Sequence, residues 1–311
     1  MFALESRRLP LRSGRWDREL RALDPERDAE EIARILANHV FPLEFLFSLE
    51  LAQFRTFTIP SISRILHSTG QYESEGQKRL DDTRAILTEI HRPGLDSPGS
   101  REMVRHLNRI HALYPISNDD YLYTLSTFVF DPPAFVERWG HRPFTEAEKD
   151  ALHALYRKLG AAMHIDGVPR SRSAFLAWRR AYESRAQRYA PENEAVARGM
   201  LRALAAPLPP AARPAFESMT VALLEPGVRT ALGFEEPSVG TEVAAAALRR
   251  VYRRGSRRLA FFEHREFGET AFANFYATYP NGYHRLKLGP AKVLAFLERE
   301  RRQTSHEAAL K

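Results

Sequence analysis

Cysteine is absent from this chain of 311 residues. That excludes disulfides, iron–sulfur clusters, thiolate-ligated haem, zinc–thiolate sites and cysteine nucleophiles. Glycine is sparse, at 16 residues, and no Gly-rich phosphate loop of the Walker or dinucleotide type occurs. The HExxH and G-x-S-x-G signatures are missing too, which removes two common hydrolase readings. Long hydrophobic runs are also lacking. The most apolar stretch, HVFPLEFLFSLELAQF, is interrupted by Pro42, Glu44 and Glu50 and is too short and too charged to span a bilayer. The opening residues, MFALESRRLPLRSGRW, have neither an apolar core of signal-peptide length nor a small-residue cleavage pattern. The expectation is a soluble, cytoplasmic protein.

What is present is ordinary globular material, with 44% hydrophobic and 27% charged residues. Phe (19) and Tyr (11) supply large burial areas. Lys and Arg outnumber Asp and Glu by 46 to 39, for a net charge of +7. Much of the excess sits in a leader (Arg7, Arg8, Arg12, Arg15, Arg18, Arg21) and in LRRVYRRGSRRL, residues 248–259. Such runs read first as solvated helix faces, and no dedicated nucleic-acid surface is expected.

Nearly every periodic segment has helical spacing. Helices are predicted over 25–38, 43–57, 76–91, 101–114 (capped by Ser100), 119–130 (capped by Ser117 or Asn118) and 146–160. Thr145 and Glu148 form a capping box for the last of these. Further helices are predicted near 172–187, 191–205, 212–224, 239–254 and 289–302. The only hairpin-like dipeptide lies in YPNGY, 279–283. The fold class is therefore all-α. A flexible basic leader (1–24), a single domain (25–300, with its core at 25–190 and C-terminal helices from 191) and a polar tail (301–311) describe the organisation. The Pro/Ala stretch at 205–215 is a loop within that domain or a hinge.

Two predicted helices carry polar residues on the side that should be oily. In 101–114, Met103, Val104, Leu107, Ile110 and Tyr114 gather in an arc about 120° wide. His111 falls inside that arc, while His106 lies just beyond its edge and is expected to face solvent. The two imidazoles are about 140° apart and cannot chelate one metal from a single face. In 76–91, Leu80, Ile86, Leu87 and Ile90 form the apolar arc, with Arg79 and Thr83 in its middle. Asp81, Arg84, Thr88 and Glu89 are expected to point away.

A buried guanidinium cannot shed its charge and demands an anionic partner. Two accounts stay open. His111 is a hydrogen-bonded core histidine and Arg79 pairs with a structural acid such as Asp119 or Asp120. Alternatively, both serve one buried anionic cofactor. Haem meets that description, since a neutral imidazole ligates its iron and cations meet its propionates.

The runs ELAQFRTFTIPSISRIL, GQKRLDDTRAIL and RIHALYPISNDDYLYTLSTFVFDP resemble the MpaB-type oxygenases, the haem-protein family that includes the rubber oxygenases or latex clearing proteins. The likeness covers roughly residues 25–190, including YESRAQRYAPEN, and YPNGYHRLKLGP is similar to MpaB-type tails. It implies an all-α, globin-like fold around haem b, with additional C-terminal helices. It implies that His111 ligates the iron, and that Arg79 and Thr83 form the arginine–threonine pair of the haem environment, as cofactor-binding and catalytic residues. O₂ and a small apolar, prenyl or other alkene-containing substrate are the implied partners. This sequence departs from the rubber oxygenases at Asp82, where they carry a lysine, and in PSISRIL, where they have a glutamate. Neither their secretion signal nor the membrane segment of the fungal enzyme is expected here. Asp82 and Asp119 are candidate proton-handling groups, or else a solvated charge and a helix cap. The alternatives are a non-catalytic or peroxidase-like haem protein and a haem-free helical module using its basic helix.

Overall fold

The computed structural model describes residues 11–271 and 273–309, and their regular structure is helical throughout. The only β-type pairing among them is a single bridge between Leu11 and Leu259. Part of the predicted leader is ordered: α1 (Arg15–Ala22) buries Trp16 and Leu20, and the Trp16 indole donates to the Glu263 carbonyl at 3.0 Å. Arginine-rich composition suggested a free tail, but two apolar residues four apart are enough to dock one helical turn. Residues 1–10 lie outside the described residues.

α2 (Ala29–Ile35) passes into a π-helical turn, Leu36–Val40, before α3 (Pro42–Phe57). The chain bends by 107° there, with Pro42 opening the new helix, where its missing N–H costs nothing. α4 (Pro60–Thr69) and the short α5 (Gln71–Ser74) lead into α6 (Gly76–His91) and α7 (Pro98–His111). The cap of α7 is Ser97, whose side chain accepts from Ser100 N at 3.1 Å. Ser100, the residue expected to cap, is instead buried and donates to the Ile90 carbonyl at 2.8 Å.

α8 (Asn118–Trp139) begins with the Ser117 cap and runs nine residues past the predicted end, through Pro132 and Pro133. Proline in a helix interior costs about 3 kcal/mol. Here the continuation buries Val136 and Trp139 and extends the long packing of α8 against α3. The predicted capping box of α9 (Glu146–Ala162) is present in both directions. α10 (Arg172–Ala186) and α11 (Pro191–Ala205) follow, and α11 packs on α4, α5 and α6. Beyond the Pro/Ala stretch come α12 (Arg213–Leu223), α13 (Pro226–Ala231), α14 (Val239–Ser256) and α15 (Ala291–Ala309). YPNGY is a turn between Tyr279 and Gly282.

Two apolar clusters carry most of the burial. One surrounds Ile35, Phe41, Met103, Leu152 and Phe175. The other joins Phe54, Phe57, Tyr72 and Leu80 to Val196, Met200 and Leu232. Between α3, α8 and α10 lies an ion-pair network in which Asp131 accepts from Arg55 (3.1 Å) and from Arg179 (2.5 Å), and Glu183 also accepts from Arg179 (3.1 Å). No single helix among the described residues is long and apolar enough to cross a membrane.

Candidate functional site

α6 packs against α7, and this brings the two polar intrusions to one place. Arg79 is half-buried on α6. Its guanidinium donates to the Thr83 hydroxyl one turn on, and Thr83 in turn donates to the Arg79 carbonyl at 2.9 Å. The face of the guanidinium covers the Tyr72 ring, 5.3 Å from its centroid. Among the described residues no carboxylate pairs with Arg79. The two acids considered from sequence are engaged elsewhere. Asp119 pairs with Arg185 at 2.7 Å, and the buried Asp120 accepts from Ser61 (2.7 Å) and Tyr182 (2.6 Å).

His111 closes α7. Its imidazole is half-buried, its Nδ1 is shut off from solvent without a hydrogen-bond partner, and its ring lies 5.5 Å from that of Tyr121. Burial pushes its pKa down to about 4, and the Arg79 charge adds to that shift. The imidazole is therefore neutral near pH 7 and its lone pair is available to a Lewis acid. The same burial raises Tyr121, and raises Tyr114 against the pull of Arg79. Tyr72 and Tyr121 were not singled out from sequence. Tyr72 precedes the break at Glu75, so the periodicity of α6 does not reach it.

The expectation for His106 is overturned. It is 2% exposed, and its Nε2 lies 2.9 Å from the Leu288 carbonyl. Asp81, expected to face solvent, is fully buried. One feature explains both: the segment 274–289 lies over α6 and α7. Thr278 N donates to Asp81 at 2.8 Å, Tyr279 OH donates to Asp82, Tyr276 OH meets Thr88 at 3.2 Å and Tyr283 OH donates to Glu89 at 3.0 Å. Asp82 is buried as well and pairs with Lys78 at 2.5 Å. It is a structural anchor rather than a solvated charge. The serines of PSISRIL are similarly engaged, Ser61 with Asp120 and the buried Ser63 with the Phe57 carbonyl at 2.8 Å.

No three His, Asp or Glu side chains among the described residues converge as a metal-binding group. A metal at His111 would therefore need most of its ligands from an organic cofactor.

Residues 58–254 match the family described as "ER-bound oxygenase mpaB/B'/Rubber oxygenase, catalytic domain". The mpaB' oxygenase of Penicillium brevicompactum is 28% identical over 249 residues, 74% of this chain and 59% of that protein. The mpaB oxygenases of Penicillium roqueforti and P. brevicompactum are each 31% identical over 166 residues, covering 51% of this chain and 56% and 42% of theirs. All three are described as ER-bound oxygenases. The chain belongs to this family of mpaB-type and rubber oxygenases, and it spans between 42% and 59% of the length of these relatives.

Proposed function

We propose that this protein is a haem b-dependent oxygenase that uses O₂ to cleave or oxygenate an apolar, alkene-containing substrate. Family membership supports the oxygenase class. The observation that carries the cofactor reading is the neutral imidazole of His111, its Nδ1 buried without a partner, beside an arginine that no carboxylate pairs with among the described residues. These residues fit haem chemically. The porphyrin brings four ligands, so one imidazole is sufficient, and its propionates supply the negative charge that Arg79 lacks. His111 would hold the iron, Arg79 would meet the anionic edge, and Thr83 would fix Arg79. When bound, haem supplies an iron centre competent for dioxygen chemistry.

The chain's own residues set the conditions around it. Burial keeps His111 unprotonated and the Arg79 charge adds to that. Thr83 accepts from the guanidinium while donating to the Arg79 backbone carbonyl, and Tyr114 and Tyr121 stay neutral phenols. Position 82, a lysine in rubber oxygenases, is tied to Lys78 and Tyr279. A small or medium alkene is the favoured substrate class, because the chain departs from the rubber oxygenases at this position and in PSISRIL. Cleavage of one double bond by one O₂ gives two carbonyl groups, each carrying one of the oxygen atoms.

Haem loading of the purified chain, read as a Soret band that moves on reduction and with carbon monoxide, tests the cofactor. Oxygen uptake and ¹⁸O₂ labelling of both carbonyl products from prenyl alkenes test the reaction. Protein that stays colourless after loading overturns the cofactor reading. A coloured protein that consumes no oxygen with any alkene is a carrier, sensor or peroxidase-like protein instead.

A further inference from the structure

α14 has an unusual surface for a helix of 18 residues: none of its residues is buried. It is nonetheless firmly placed. Tyr252 packs near Trp139, with ring centroids 6.3 Å apart. Arg12 donates to the Ser256 carbonyl at 3.0 Å, and α12 lies alongside. Along its length it exposes large apolar side chains, Val239 (77% exposed), Val243 (63%), Leu248 (50%) and Val251 (70%). At 100° per residue, Val243, Ala247 and Val251 share a stripe with Arg250 and Arg254. Along the basic flank runs a groove of about 360 Å³ lined by Ala246, Arg249, Arg250, Arg253, Arg254 and Arg257. Its lining holds no acid, the Nε of Arg253 is buried there without a hydrogen-bond partner, and among the described residues none of the five arginines has a carboxylate partner. Phe261, four residues past the C-cap Arg257, is 66% exposed.

We infer that α14 seats the protein on an anionic membrane surface. The valines and Leu248 would enter the headgroup boundary, and the arginines would bind lipid phosphates and carboxylates. An apolar arc bordered on one side by guanidiniums, which overlap its edge, is the pattern of a helix lying in the interface plane. Charge selects this occupant over the others. A second copy would bring the same arginines against this face and be repelled, and a nucleic acid would use the arginines while leaving the valines in water. The inference is independent of the haem reading.

The test is cosedimentation of the full chain with phosphatidylcholine vesicles, with and without phosphatidylserine. Binding is expected only with phosphatidylserine and should weaken as salt rises. The substitution R250Q/R254Q should lower the partition coefficient roughly thirtyfold, from the typical gain per arginine at an anionic surface. V243S/V251S should lower it roughly tenfold from lost apolar burial. All four side chains are exposed, so both variants should melt like the parent. Equal binding to neutral vesicles, or parental binding by both variants, overturns the inference. Tight duplex-DNA binding unaffected by V243S/V251S, or a dimer that V243S/V251S dissolves, each without vesicle binding, also overturns it.

Discussion

His106 and His111 stand five residues apart on α7, and alanine at each should produce opposite phenotypes. The ring of His106 is 2% exposed and meets the Leu288 carbonyl at 2.9 Å, and Leu288 is itself fully buried. Removing the imidazole strands that carbonyl, at about 1–3 kcal/mol, and leaves a void. Together these give about 3 kcal/mol, or a fall of roughly 6–10 °C in Tm for a domain of this size. His111 makes no hydrogen bond through Nδ1, so His111→Ala removes an unsatisfied buried atom along with some packing on Tyr121. Apo stability should stay within about 1 kcal/mol of the parent. In haem-loaded protein the order reverses: His111→Ala loses the Soret band and His106→Ala keeps it. Calorimetry of apo protein and absorption of loaded protein read the two effects separately. Loss of colour in His106→Ala with an unchanged melt, or a His111→Ala apo protein as unstable as His106→Ala, would refute the assignment of ligand and anchor.

Burial pushes His91 down to about 4 and His141 down to about 3. Both are neutral in the folded chain, whereas in the unfolded chain each takes up a proton below about 6.5. Stability therefore falls as pH drops from 6.5 toward those values, by roughly 2 kcal/mol per histidine at pH 5. Urea titrations at pH 7 and 5 should show this fall, and His91→Leu should reduce it. Tyr279→Phe leaves the buried Asp82 with Lys78 alone and should cost about 2 kcal/mol in the same assay. A Cβ on Gly199 would sit 2.4 Å from the Tyr72 carbonyl oxygen, so Gly199→Ala should cost about 3 kcal/mol by separating α11 from α5.

The all-α class was legible because each helix writes its own period. α6 and α11 fall at the predicted bounds, and the α9 capping box is a purely local signal. The inward placement of Arg79 and Thr83 was visible for the same reason: a polar pair interrupts an apolar arc. His106, Asp81 and the outer face of α6 were misread because a helical wheel contains only its own helix. A face that looks solvated is so only if no later segment covers it. Here the cover arrives more than 190 residues downstream through tyrosine hydroxyls and backbone groups, which leave no periodic trace. The continuation of α8 through two prolines was hidden likewise, since its compensation lies in packing on α3.

This cover bears on where the domain ends. The family match stops at residue 254, yet the residues that satisfy the outer face of α6 lie at 274–289. Without them Asp81, Asp82, Glu89 and His106 each lose a hydrogen-bond partner, and Tyr276 and Leu288, 7% and 0% exposed, are removed from the core. Burial of an aromatic and a leucine side chain is worth about 4–5 kcal/mol before the entropy of ordering the segment is subtracted. Water can replace some of the hydrogen bonds, but it cannot replace that packing. A chain ending at residue 271 should therefore melt roughly 10 °C below one ending at 290. Its α6 and α7 amides should also exchange faster, because these helices carry both the covered face and the arginine–histidine pair. If the shorter chain melts with the longer one and protects α6 equally, the segment is an accessory and the site is held by the helices alone.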